Sequence, residues 1–226
     1  MTINLLEVKN LEKKYGNQLV IEDCNFQLNQ RQWLGIVGKN GSGKSTLVKM
    51  IVGLEKCTKG VIYLEGKKQE DVSMKKWVQT IQLVAQYTRK SLDPSKTIEQ
   101  ILSEPLIQFQ LCQKQQIKMT IEKILLDCDL SKKTLSKRPH ELSGGQYQRI
   151  CLAVALLVKP RILICDEATA NLDKINEKRI INLLKKQKNM AVLFISHNSS
   201  LVKKTCDDVI YMKDFHSSDK DRRLIE

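Results

Sequence analysis

With 226 residues, the chain is long enough for one large domain, or for one domain with an inserted lobe. An apolar content of 42% supplies a core and excludes an intrinsically disordered chain. The balance of 38 basic against 25 acidic residues, formally +13, suits a polyanionic partner such as a nucleotide, a nucleic acid or an anionic membrane face, although basic residues this scattered also fit lysines coating solvated helix faces.

In chain order, the opening MTINLLEVKNLEKKYG lacks the layout of a signal peptide. Antiparallel-looking strands surround Tyr15, beginning with Leu5–Val8. Further β-like segments fall at Cys24–Leu28, Trp33–Val37, Val61–Leu64, Ile81–Val84, Ile162–Cys165, Val192–Ile195 and Val209–Met212. Several are continuous apolar runs, the pattern of strands buried on both faces of a mainly parallel sheet. Helical patterns at Lys44–Val52, Gln146–Val158, Ile175–Lys186 and Ser199–Thr205 follow strands, which predicts a layered α/β core. From about Tyr87 to Glu141 no strand is predicted. There Ile117, Ile121, Ile124, Leu125 and Cys128 recur at helical spacing, so a helical lobe is expected to interrupt the core. The longest apolar run, Ile150 to Val158, is far too short to span a bilayer, so the chain is expected to be soluble or held at a membrane by a partner. The seven cysteines include no C-x-x-C pair, and their odd number without metal spacing reads as free thiols in a reducing cytosol.

Gly38-Lys39-Asn40-Gly41-Ser42-Gly43-Lys44-Ser45 matches G-x-x-x-x-G-K-[ST] in full, between the strand-like WLGIV and the helix-like STLVKMIVG. Glycines permit a tight loop whose backbone N–H groups converge on phosphate oxygens. Lys44 can neutralise the β and γ phosphates, Ser45 can offer a hydroxyl to Mg²⁺, and the following helix adds the positive end of its dipole. Downstream, the apolar run from Arg161 ends in Asp166 and Glu167, at the strand end where open α/β sheets bind ligands. Asp166 can hold Mg²⁺, mostly through water, and Glu167 can orient and polarise an attacking water. His197 ends another apolar strand on the same expected edge, where it can touch a γ-phosphate. A second anion-reading turn, Leu142-Ser143-Gly144-Gly145-Gln146, opens the helical run that follows it.

Assembled, these motifs resemble the ATPase subunit of an ABC transporter over nearly the whole chain, and LSGGQ matches that family's signature letter for letter. The resemblance implies a P-loop NTPase core of the RecA-like type with an antiparallel β subdomain and an inserted α-helical subdomain. It places a single ATPase domain at 4–213, with the core and β lobe at 4–86 and 150–213, the helical subdomain and signature at 87–149, and a polar tail at 214–226 that is expected to fray. It implies nucleotide contacts from Gly38, Asn40, Gly41, Ser42, Gly43, Lys44, Ser45 and Thr46. Tyr15 corresponds to the aromatic that stacks on adenine, and Gln86 to the glutamine that touches Mg²⁺ or water and senses the transmembrane partner. Asp173 lies in the loop that crosses the dimer interface, and His197 corresponds to the switch histidine. Two ATPase domains pair head to tail in the family, so Ser143, Gly144, Gly145 and Gln146 of one copy would read the ATP held by the other. Catalysis is then expected from Glu167, His197 and Lys44, with metal ligands Ser45, Gln86 and Asp166 and with ATP and Mg²⁺ bound. Departures from the family pattern fall at Ala170-Asn171-Leu172-Asp173, at Asn198 and at Gln30-Arg31-Gln32, and none removes a catalytic group.

The stretch from Ser91 through Pro94, Thr97 and Pro105 to Leu106 is similar to a segment of the dipeptide, oligopeptide and nickel importer subfamily. Read from its residues alone, Asp93-Pro94 makes a turn and Thr97 caps a helix. The subfamily implies a second, different ATPase chain, two membrane permeases and an external substrate-binding protein, at the cytoplasmic face of the membrane and without nucleic acid. The chain's end, about a dozen residues past its last expected strand, resembles the shorter nickel or metal-complex members. Two rival readings are a soluble ABC ATPase acting on nucleic acid or ribosomes and a nucleotide-binding regulatory subunit with little turnover. The first usually carries two cassettes or a long coiled-coil insertion, and the second is disfavoured by Glu167 and His197.

Overall fold

The computed structural model describes residues 4–85, 91–170 and 173–212. Its elements in chain order are β1 (Asn4–Tyr15), β2 (Gln18–Asn29), β3 (Trp33–Val37), α1 (Lys44–Ile51), β4 (Lys59–Leu64), β5 (Lys67–Lys68), α2 (Met74–Thr80), β6 (Ile81–Val84), α3 (Ile98–Gln108), α4 (Ile117–Asp127), α5 (Gly144–Leu157), β7 (Ile162–Asp166), α6 (Lys174–Lys185), β8 (Ala191–Ser196), α7 (Ser199–Thr205) and β9 (Asp208–Tyr211). The chain forms two compact units, 1–78 together with 189–226, and 79–188.

In the first unit, β1 and β2 pair antiparallel from Asn4↔Asn29 to Tyr15↔Gln18, turning through Gly16 at φ 56. The other edge of β1 pairs antiparallel with β4, which carries the short β5. On β2, Cys24, Phe26 and Leu28 point inward and alternate with exposed Asp23, Asn25 and Gln27, the period-two pattern of a sheet buried on one face. The parallel part of this unit is different. All five residues of β3 and all six of β8 are buried, and β3 lies between β8 and β9, parallel to both. Helix α7 rests on β3 where Gly35 has no side chain, since a Cβ there would lie 2.1 Å from Val202 Cγ1. Trp77, fully buried, donates from Nε1 to the Ile51 carbonyl at 2.9 Å and so secures the end of α1.

In the second unit, β6 and β7 run parallel from Ile81↔Ile162 to Val84↔Cys165. Residues 91–141 contain helices and turns and no strand. Helices α3, α4 and α5 pack on one another. On α4 the expected apolar stripe is the inner face, with Ile121, Leu125 and the following Cys128 buried and Ile117 and Ile124 half-buried. Thr97 caps α3: its Oγ1 accepts from Gln100 N at 3.3 Å while Gln100 Oε1 accepts from Thr97 N at 2.8 Å. Among the described residues, no helix is long and apolar enough to cross a membrane.

All seven cysteines are free thiols. Burial pushes the thiols of Cys24, Cys128 and Cys151 up to about 12, with the neighbouring carboxylates of Asp23 and Asp127 adding to the shift at the first two. Only the thiolate reacts, so at pH 8 iodoacetamide should label the half-buried Cys57 and Cys112 first and leave Cys24 and Cys128 unmodified until the chain unfolds. Peptide mass spectrometry over an alkylation time course checks this, and early labelling of Cys24 or Cys128 would contradict the packing.

Candidate nucleotide site

The buried strand β3 delivers the chain into the glycine loop, and the loop delivers it into α1. Gly43 stands at the N-cap of α1 with φ 88, a left-handed conformation that side chains resist. A Cβ at Gly38 would fall 2.4 Å from Ser42 Oγ, and one at Gly43 would fall 3.1 Å from both the Val20 carbonyl and Ile21. Gly41, at φ 81, has nothing within 4 Å of that position, so the tip of the loop is open to a ligand. Lys44 is only 6% exposed, and its Nζ donates to the Gly38 carbonyl at 2.7 Å and the Lys39 carbonyl at 3.0 Å. The ammonium is thus folded into the loop it belongs to, which presents a positive centre ringed by backbone. No acidic residue occupies the first turn of α1, so the dipole end stays positive for an anion. Ser45 is exposed and Thr46 half-buried on that turn.

The β3–β8 register pairs Val37 with Ser196, so Gly38 and His197 leave neighbouring strands at the same edge. His197 is exposed there. Asn198 fixes the turn behind it: its N–H donates to Ser196 Oγ at 3.1 Å, and its Oδ1 caps α7 by accepting from Leu201 N at 3.1 Å. An aspartate would cap equally well, so this departure from the family pattern leaves the local geometry intact.

Tyr15, 43% exposed, ends β1. Lys13 Nζ lies 4.8 Å from its ring centroid and 3.0 Å from Glu55 Oε1. The Glu55 carboxylate, hydrogen-bonded to the phenol, raises the Tyr15 pKa, while Thr46 also bonds the phenol and lowers it. The ring is therefore oriented at its edge by Glu55 and covered on one face by an ammonium. The sequence reading did not single out Lys13 or Glu55.

In the second unit, β7 ends in Asp166, and Glu167 follows in the left-handed region at φ 52. Both are half-buried. Strain of this kind is uncommon for a non-glycine residue and clusters at functional positions. The turn is held by Ala170 N donating to the Glu167 carbonyl at 2.9 Å, and by Gln148 Nε2 donating to the Ala168 carbonyl at 2.9 Å. Gln148 is 2% exposed on α5, and the sequence reading missed it. The signal was a polar residue in the buried phase of a helix, where a partner is needed.

The second turn opens α5 as expected. Ser143 Oγ accepts from Gln146 N at 3.3 Å, and Gln146 Oε1 accepts from Ser143 N at 3.1 Å. Gln146 is thus committed to a capping box. Gly144 has open space around it, and a Cβ at Gly145 would meet the Asn176 side chain at 3.6 Å. Asp173 caps α6, its Oδ1 accepting from Asn176 N at 2.8 Å and its Oδ2 from Asn176 Nδ2 at 2.7 Å. These bonds from Asn176 hold the Asp173 carboxyl below the usual carboxylate range. Gln86 and the tail 214–226 lie outside the described residues, as do Asn171 and Leu172.

A glycine loop folded around a lysine ammonium at the mouth of a helix, together with carboxylates closing a buried parallel strand, defines a P-loop nucleotide-binding protein. The family model described as ABC transporter matches residues 21–170. The chain belongs to the ABC transporter family, as its ATP-binding and ATP-hydrolysing domain. It is 38% identical over 205 residues to the nickel import ATP-binding protein NikE of Escherichia coli (strain K12), covering 88% of this chain and 76% of that protein. Its fold is similar to that of cbiO1 from Clostridium perfringens, part of the ABC transporter complex cbiONQ, with TM-score 0.81, 26% identity and coverage of 92% and 84% of the two chains. A dimeric ATP-binding cassette in a post-hydrolysis state bound to ADP and Pi is similar with TM-score 0.80 and 26% identity, over 92% of this chain and 94% of that one.

Proposed function

We propose that this chain hydrolyses ATP to energise an ABC importer at the cytoplasmic face of the membrane, and that the cargo is nickel or a related metal complex. The observation that carries the reading is the open glycine turn at Ser143–Gly145 on a capped helix, in a chain that already holds a complete phosphate loop. One cassette has no use for two phosphate readers, but two cassettes paired head to tail use both. The similarity to NikE supports nickel over di- or oligopeptides. The partners proposed are a second, different ATPase chain, two permeases and an external substrate-binding protein.

In this reading the loop amides and Lys44 take the β and γ phosphates of ATP, Tyr15 stacks on adenine and Glu167 polarises the attacking water. His197 touches the γ-phosphate, and Ser143, Gly144 and Gly145 close over the partner's ATP, with Asp173 beside that interface. The Ser45 hydroxyl and the Asp166 carboxylate are hard oxygen donors of the kind Mg²⁺ accepts, and Gln86 is the third proposed ligand. Mg²⁺ supplies neutralisation of the phosphate charge.

The test is to express tagged Glu167→Gln in the native cell, solubilise membranes with ATP and Mg²⁺, and identify what co-purifies. Two permeases and a second ATPase are expected. A substrate-binding protein that accompanies the complex should then take up nickel complexes in a binding assay. Recovery of ribosomes or nucleic-acid proteins would replace this reading with the soluble class, and binding of peptides alone would change the cargo.

A further inference from the structure

Beneath the signature turn, two arginines converge on one carboxylate. Arg149, one turn into α5 and only 15% exposed at its side chain, donates from Nε to the Gly145 carbonyl at 3.2 Å. Its Nη1 donates to the Asp129 carbonyl at 3.0 Å and to Asp129 Oδ2 at 3.2 Å. Arg179 Nη1, on α6, lies 3.7 Å from the same Oδ2. Arg179 is one turn beyond Asn176, whose backbone N–H and side-chain amide donate to Asp173 Oδ1 and Oδ2 respectively, and whose side chain lies beside Gly145. The contacts run from Gly145 to Arg149, to Asp129 and on to Arg179, and α6 sets the Asn176 side chain 3.6 Å from where a Cβ on Gly145 would stand.

Asp129 itself occupies an awkward backbone position. It follows α4 at φ 53, in the left-handed region that glycine enters without cost. An aspartate there sacrifices about 1 kcal/mol of backbone preference relative to glycine. What glycine cannot supply is the carboxylate. An exposed ion pair by itself stabilises little, and Asp129 is 73% exposed at its side chain. Its use is geometric: it meets a side chain of the helix opened by the signature turn and a side chain of the helix capped by Asp173.

We infer that Asp129 is a positioning residue that ties the signature turn to the Asp173 end of α6, so that the two elements facing the partner cassette shift as one body. The inference rests on the reading that Ser143–Gly145 closes over the partner's ATP. Its test uses the assembled transporter and compares Asp129→Gly, Asp129→Asn and Gly144→Glu with the wild type. Asp129→Gly suits the left-handed backbone and removes only the carboxylate. We expect its thermal midpoint to be unchanged or raised and its KM for ATP unchanged, because the phosphate loop is untouched. Its kcat should fall about five- to tenfold, the size of a coupling of neighbouring groups. Asp129→Asn keeps an oxygen acceptor for Arg149 and should recover part of that loss. In nucleotide-free protein, amide exchange in the first turns of α5 and α6 should quicken about fivefold in Asp129→Gly. Gly144→Glu fits the open space at Gly144 but sets a negative charge where phosphate is read, and it should abolish turnover. A kcat within twofold of wild type in Asp129→Gly, with Gly144→Glu inactive, overturns this inference alone. A kcat loss accompanied by a lowered thermal midpoint also overturns it, by making Asp129 merely structural. Full turnover in Gly144→Glu overturns the underlying reading of the signature turn, and this inference with it.

Discussion

Glu167→Gln yields a chain that still binds ATP but turns it over at least about a hundredfold more slowly, the lower end of what a positioned general base contributes. Glutamine has the same length and retains an oxygen, so the left-handed turn at φ 52 and its bond from Ala170 N survive. What it lacks is the negative charge that, in the proposed mechanism, polarises a water. Phosphate release from the assembled complex measures the first effect and fluorescent-nucleotide titration the second. Turnover near wild type would remove Glu167 from the mechanism and restore the regulatory-subunit reading, in which this chain binds nucleotide without consuming it.

Lys44→Ala produces the complementary defect, with ATP binding itself weakened. The Lys44 ammonium is buried and already bound to two loop carbonyls, at 2.7 and 3.0 Å, so its rotamer is set before nucleotide arrives. A hydrogen bond to a charged group is worth about 1.5–3 kcal/mol, which predicts a fall in affinity of roughly 10- to 150-fold. Calorimetric titration with ATP checks it. Affinity within a factor of two of the wild type would show that the loop amides alone hold the phosphates. The two variants together separate binding from chemistry, because one should saturate with ATP and stall while the other should need roughly 10- to 150-fold more ATP to saturate.

The parts of the fold legible in the sequence are those where physics leaves one pattern. Strands β3, β7 and β8 are buried on both faces, so they had to be written as unbroken apolar runs, and WLGIV, ILIC and AVLFIS are such runs. The outer half of the β1–β2 hairpin is mostly exposed, so Lys9–Tyr15 carries little apolar alternation and its strand was only partly anticipated. Helix α2, seven residues of mixed character, offers too short a window for a period to show. The same division runs through the site. Loop spacing and capping are local, so the phosphate loop, the strand-end carboxylates and the capped signature helix could be placed residue by residue. The roles of Gln148 and Arg149 depend on carbonyls twenty residues away, at Ala168 and Asp129, and no local window contains both partners.

Ser143 shows how two demands can fall on one atom. Its hydroxyl oxygen accepts from Gln146 N and so closes the open end of α5. While that oxygen accepts the amide, the hydroxyl keeps a proton to donate. An aspartate would cap the helix as well or better, but it has no proton to offer and would repel an anion. An alanine would admit the anion and leave the cap unmade. Serine is among the few side chains that satisfy helix and anion at once, and in the proposed head-to-tail pairing the stability of the empty protein would thereby be joined to its readiness for the partner's nucleotide.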